Sequence, residues 1–159
     1  MNEQALQTIV DEVVSRIKAP HNVTLDMALA LTEKVKAKAK EMGVKAVVAI
    51  SDRAGHPVSV QCMDDSYIAS YDVAVQKAFT VVSLKMSTAT LKPLAQPGGS
   101  LYGIQFTNGG KIVIFGGGEP LNNKANEIIG GIGVSGGSEE QDSALAAYGK
   151  EIFEKGQYL

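Results

Sequence analysis

The chain has 159 residues, 45% of them hydrophobic and 20% charged, with a formal net charge of −2; that suits one domain with a sizeable core and offers no basic excess for nucleic acid. The single cysteine, Cys62, excludes an intrachain disulfide framework and fits a reducing compartment. No apolar run reaches the roughly 18 residues of a membrane span, and the N-terminus lacks the basic start and apolar centre of a secretory signal, so the sequence predicts a cytoplasmic protein.

In "MNEQALQTIVDEVVSRIK" (1–18), Leu6, Ile9, Val10, Val13, Val14 and Ile17 recur at three- and four-residue spacing, which is one apolar stripe on an amphipathic helix. Asn2 or Glu3 suits its start, and Arg16 and Lys18 suit its end. Pro20 then breaks the pattern, so residues 19–23 are predicted as a linker. A helix of about four turns is marginal alone in water. Its stripe must pack on the domain, on a sister subunit or on another partner. In pattern and position the segment resembles the N-terminal encapsulation peptides of enzymes carried inside bacterial microcompartments, which implies a shell or cargo contact through residues 1–18.

The domain is expected over 24–159. Thr24 is an N-cap candidate for a helix over 25–42, with Leu25, Ala28, Leu29, Thr32, Val35, Ala39 and Met42 inward and Gly43 closing it. "VKAVVAIS" (44–51) and "HPVSVQCM" (56–63) read as an antiparallel hairpin around "DRAG", with Val58, Val60 and Cys62 on one side. On that pattern Cys62 is a buried structural thiol. Residues 66–84 lack Gly and Pro and have helical spacing, with Asp72, Gln76 and Lys77 as polar exceptions. A short helix over 87–94 has Ser87 as its cap. "NGG" (108–110) predicts a hairpin turn before a strand at 111–115. Residues 126–134 read as a further strand, and a last helix follows Ser138, with Glu139, Glu140 and Asp142 in its first turn. Strands in neighbouring pairs point to an α+β domain, an antiparallel sheet covered by helices, rather than a doubly wound nucleotide fold.

The glycine clusters "GGGEPLNN" and "GGSEEQD" lack the Lys-Ser/Thr of a Walker loop. Gly131, Gly133 and Gly136 imitate a dinucleotide fingerprint, but no parallel βαβ unit surrounds them, and the acidic turn that follows would repel phosphate. Tight turns and close backbone approach are the expectation, which leaves room for a flat ligand on exposed backbone.

"PLAQPGGSLYGIQFTNGGKIVIFGGGEPL" and "IIGGIGVSGGSEEQDSALAAYG", together with "AVVAISDRAGHPVSVQCMDD" and "ASYDVAVQKAFTVV", resemble the GlcG/HbpS family, which also supplies the C-terminal domain of PduO-type cobalamin adenosyltransferases. The resemblance spans about residues 24–154. It implies a five-stranded antiparallel sheet flanked by helices (a profilin-like arrangement), homo-oligomers, haem binding in some members and, less directly, a link to cobalamin.

His56 follows the turn glycine where the family often has a histidine, and imidazole is a common axial ligand of haem iron; the alternative is a surface turn residue. His21 lies in the linker, in reach of a ligand only at an interface. Met63 and Met86 are soft ligands or core residues. Lys77, in an otherwise apolar helix, must pair or serve a site; with Asp72, Glu140 or Asp142 it either orients ligand propionates or holds helices together. The candidate cofactor contacts are His56, Lys77, Gly116, Gly117, Ser135 and Gly136, with His56 as the metal ligand. No Ser-His-Asp, H-x-x-x-H or C-x-x-C pattern supports a hydrolase or a metal enzyme. Three functions remain open: a haem- or corrinoid-binding accessory protein, an enzyme acting on a small microcompartment metabolite through Lys77 and carboxylates, and a non-catalytic assembly protein.

Overall fold

The computed structural model describes residues 2–159. In chain order it contains α1 (Glu3–Ile17), α2 (Leu25–Glu41), β1 (Val47–Asp52), β2 (Pro57–Cys62), α3 (Ile68–Leu84), α4 (Thr88–Leu94), β3 (Gly118–Asn122), β4 (Ile128–Ser135) and α5 (Glu139–Glu154). The strands form one antiparallel sheet in the order β2-β1-β4-β3. The α+β class is as expected, but the sheet has four strands rather than five.

Five strands are implied by the family resemblance alone; the residue pattern predicts four, and the one expected at 111–115 lies at Gly118–Asn122 instead. Asn108–Gly110 forms a 3-10 turn rather than a hairpin. Residues 111–115 run irregularly, although Ile112 and Val113 are buried. Thr80 on α3 takes the Val113 N–H at 3.0 Å, so a side chain replaces the missing sheet partner. The strand starts only at Gly118, within the cluster read as a turn.

Both faces of the sheet are covered. Val48 and Ile50 of β1, with Ile132 and Val134 of β4, pack under α2 and α5 beside Leu31, Val35, Leu145 and Phe153. Val47 and Ala49 face Ala74 and Ala78 of α3. A strand buried on both sides must be continuously apolar, and "VVAI" of β1 is. On β4 the side chains alternate, Ile132 and Val134 to one side and Gly131 and Gly133 to the other. A Cβ on Gly133 would collide with the Ala74 carbonyl, and one on Gly131 would meet Val81 and the Ala78 carbonyl. The glycines are thus the seat of α3.

Capping chemistry fixes the helix starts. Thr24, Ser87 and Ser138 each accept an N–H three residues on, and Ser138 with Gln141 completes a capping box. Leu31 fills the core position assigned to Leu25 and Leu29, which are exposed. Cys62 is also exposed rather than buried. A register shift between Ile50 and Ser51 breaks the alternation of β2, so Val58 and Val60 pack against different clusters, and Cys62 ends on an edge strand.

No residue of α1 is buried; its six aliphatic residues are 40–72% exposed. The linker behaves otherwise. Ala19 and Val23 are buried. The Val23 N–H donates to Ile129 O at 3.1 Å, Asn123 Nδ2 donates to Pro20 O at 2.9 Å, and the Arg53 N–H donates to Asn22 Oδ1 at 2.9 Å. The helix therefore stands free on a base that is part of the domain. A chain beginning at Ala19 should keep its stability to within about 0.5 kcal/mol in urea denaturation. A chain beginning at Thr24 should lose about 2 kcal/mol through the buried Val23 side chain and its hydrogen bond.

Candidate functional site

The predicted site residues divide between the two ends of the sheet. Ser135 pairs with Val47 at one end of β1, and Gly130 pairs with Asp52 at the other. His56 lies beyond Asp52, whose N–H donates to His56 O at 2.9 Å. The five steps from Val47 to Asp52 span roughly 16 Å of strand. His56 is thus not brought together with Ser135 and Gly136.

At the first end α3 carries Ser70 and Lys77 on the face against β4. They are seven residues apart, which is close to two helical turns. Lys77 has no exposed side-chain surface. Its Nζ donates to Val134 O at 2.7 Å and to Asp142 Oδ2 at 3.3 Å, and the Phe115 ring centroid lies 4.9 Å away. Asp142 Oδ1 accepts the Gly137 N–H at 2.8 Å. Asp72, the nearer carboxylate in sequence, is exposed; the partner comes from α5. Gly117 has φ 111°, and a Cβ there would sit 2.5 Å from Nζ, so this position has no room for a side chain beside the amine. Burial pulls the Lys77 pKa below its ordinary 10.5, with Asp142 opposing.

Beside this pair is a cleft of about 290 Å³ lined in part by Tyr67, Ser70, Phe115, Ser135, Glu139 and Asp142; Gly136 lies on the same wall. Ser135 Oγ donates to Ser70 Oγ at 3.0 Å. Glu139 is held below the usual carboxylate range by hydrogen bonds, first from Lys92 at 2.6 Å and then from the Gly116 N–H at 2.8 Å. The polar groups of the lining are acidic and hydroxylic. Lys77, already committed to Asp142 and Val134, is placed to hold α3 against α5 rather than to anchor a propionate. Gly116 is likewise engaged with Glu139.

At the other end His56 is 78% exposed, and its Nδ1 lies 3.3 Å from Asp52 Oδ2. Asp52 Oδ1 also accepts the His56 N–H at 2.9 Å, so one carboxylate fixes both backbone and ring. His56 Nε2 has no hydrogen-bond partner among the described residues. A carboxylate on one imidazole nitrogen with the other free is the arrangement that supports metal ligation. Gly55 packs against Phe79 and Val82, and Lys111 Nζ stands 5.6 Å from the Phe79 ring centroid. Lys111 thus stands over the ring that Gly55 packs against, whereas the Arg53 guanidinium turns to the linker and donates to His21 O at 3.5 Å. Neither had been singled out from the sequence, because loop cations carry no periodicity. His21 sits in the docked linker 3.4 Å from Glu127. No group of three or more His, Cys, Asp or Glu able to hold a metal occurs among the described residues.

Comparison with known proteins places these features. Residues 23–151 match the family model described as haem degrading protein HbpS-like. A 15.0 kDa protein from the dhaT-dhaS intergenic region of Citrobacter freundii is 43% identical over 133 residues, 82% of this chain and 92% of that protein. The corrinoid adenosyltransferase PduO of Salmonella typhimurium is 38% identical over 149 residues, 87% of this chain but only 44% of the enzyme. The structure of a PduOC:haem complex superimposes with a TM-score of 0.78, with 35% identity over 82% of this chain and 94% of that one.

The Lys77–Asp142 pair is testable by removal of one partner. Asp142→Leu, which leaves a buried ammonium unpaired, should cost about 3–5 kcal/mol in denaturant unfolding, whereas the double variant Lys77→Met/Asp142→Leu should regain most of it. In the native chain Lys77 releases its proton at a lower pH than in the unfolded chain. Between its folded pKa and 10.5 the unfolded state holds more protons, so stability should rise with pH there. That slope should vanish in Lys77→Met.

Proposed function

The chain belongs to the HbpS-like family, and from that footing we propose that it is a haem- or tetrapyrrole-binding accessory protein that works as a homo-oligomer and is carried into a bacterial microcompartment by α1. The observation that carries the haem reading is the likeness to a domain in complex with haem over nearly the whole of that domain. The His56 end supports it: an oriented imidazole with a free Nε2, an apolar flank of Phe79 and Val82 beside Gly55, and Lys111 over the Phe79 ring as a cation suited to a propionate. These residues would hold the group, and its iron would supply the redox and ligand chemistry. An imidazole 78% exposed leaves the opposite face of such a ligand to a second subunit.

Association is supported by large apolar side chains left in water, including Tyr67, Ile68, Tyr102 and Phe106 at 65–97% exposure. The match to part of a corrinoid adenosyltransferase supports cobalamin less well, because more than half of that enzyme lies outside the match. No helix among the described residues is long and apolar enough to cross a membrane.

Titration with haemin should give a Soret shift that His56→Ala weakens at least tenfold in affinity and that His21→Ala leaves intact. Equal spectra for wild type and His56→Ala would remove His56 from the site. Residues 1–18 fused to a fluorescent protein should enter the microcompartments of a matching host, and charged residues at Ile9 and Val13 should abolish that entry, since both lie on the exposed stripe. Diffuse fluorescence of the unaltered fusion would count against the role of α1.

A further inference from the structure

The haem reading uses the His56 end and leaves Lys77 unexplained beyond a structural clamp. A clamp needs no lysine, since a buried ion pair is often replaced by apolar residues of similar volume without loss. Two neighbours of the amine, Asp142 and Phe115, line a cleft of about 290 Å³.

We propose that Lys77 is a carbonyl-trapping amine: it condenses reversibly, as a Schiff base, with a small neutral aliphatic aldehyde admitted through the cleft beside Phe115. Three observations carry this. First, the closed surroundings of Nζ favour the neutral amine, the form whose lone pair attacks a carbonyl. Second, Asp142 Oδ2 at 3.3 Å is placed to take the ammonium proton. The lone pair then forms the C–N bond, and the carbonyl π electrons move to oxygen to give a carbinolamine. Asp142 returns that proton to the oxygen and then relays one from the nitrogen to the hydroxyl; the nitrogen lone pair forms the C=N bond as the C–O bond breaks, water leaves, and a protonated imine remains beside the carboxylate. Third, the Phe115 ring lies between Nζ, 4.9 Å from its centroid, and the cleft that the ring helps to line. Phe115 is 41% exposed and sits on the irregular segment that ends at Gly116 and Gly117, so a ring rotation and a small backbone shift would open the way. Glu139 and Asp142 in the lining disfavour carboxylate-bearing carbonyls, and the Ser70 and Ser135 hydroxyls suit an aldehyde with a hydroxyl group.

The native full-length chain, incubated at neutral pH with acetaldehyde and sodium cyanoborohydride, tests this. Hydride from the borohydride reduces the imine to a stable ethylamine, which peptide mapping by mass spectrometry locates. The expected result is ethylation of Lys77 at least tenfold faster than of the exposed Lys40 and Lys124, a further several-fold acceleration in Phe115→Ala, and loss of the fast phase in Lys77→Met. The proposal is overturned if Lys77 reacts no faster than the exposed lysines, if it reacts only in urea, or if Phe115→Ala leaves its rate unchanged. The readout is mass on a wild-type peptide, so it stands whether or not a Lys77 variant folds. It is also independent of the visible spectrum that tests haem.

Discussion

The close approach of α3 to β4 governs the rest of the molecule. Gly131 and Gly133 bring the helix backbone against the strand, with the Ala74 and Ala78 carbonyls where a side chain would otherwise stand. At that distance a residue on the inner face of α3 has no route to water. Alanines accept this, and so do Ser70 and Thr80 by hydrogen bonding within the protein. Lys77 accepts it only because the end of β4 offers a carbonyl and α5 offers a carboxylate. The missing Cβ of Gly117 adds the space that the ammonium needs. The last helix is thereby fixed against the sheet by charge as well as by Leu145, Ile152 and Phe153.

The same packing separates two chemistries along one strand pair. The Ser135 end carries a cleft whose wall is largely apolar, with Glu139, Asp142 and the Ser70 and Ser135 hydroxyls as its polar groups. The His56 end is open, with the imidazole side chain 78% exposed and Gly55 packed against the Phe79 ring that Lys111 overlies. One ligand cannot span both ends through the sheet. Grouping His56 with Ser135 and Gly136 therefore joined residues that β1 holds apart.

Much of the fold was legible because its signals are local. The caps at Thr24, Ser87 and Ser138 and the Gly43 stop, with φ 69°, each depend on neighbours a few residues away. The apolar run of β1 and the lysine in α3 stood out for the same reason. The third strand was placed too early because "KIVIF" has the composition of a strand, yet which segment pairs is decided by tertiary packing, which no local pattern records. Cys62 was misplaced because it shares a face with the partly buried Val60 but is the last residue of an edge strand, and alternation does not record where the cover ends. Arg53, Lys111 and Phe115 lie on turns and an irregular segment, where position follows from tertiary packing. Ser70 could have been found: it lies two turns before Lys77, on the same helical face.

The free helix and its docked base form one device. Asn2 caps α1, and exposed pairs such as Glu12 with Arg16 support it along its polar side, so helix can form before any partner arrives. The stripe from Leu6 to Ile17 gains nothing from the domain, because no contact buries it. Its base is tied by Pro20, Asn22 and Val23 to the turn ends of the sheet, which removes part of the orientational freedom that a tethered peptide would lose on binding. A partner groove that meets the stripe would then gain the burial of six aliphatic side chains against a reduced ordering cost. In an oligomer the gain multiplies, because each subunit presents a helix and a second helix binds at high effective concentration. A short amphipathic segment can in this way direct a whole assembly, although one copy alone would bind weakly.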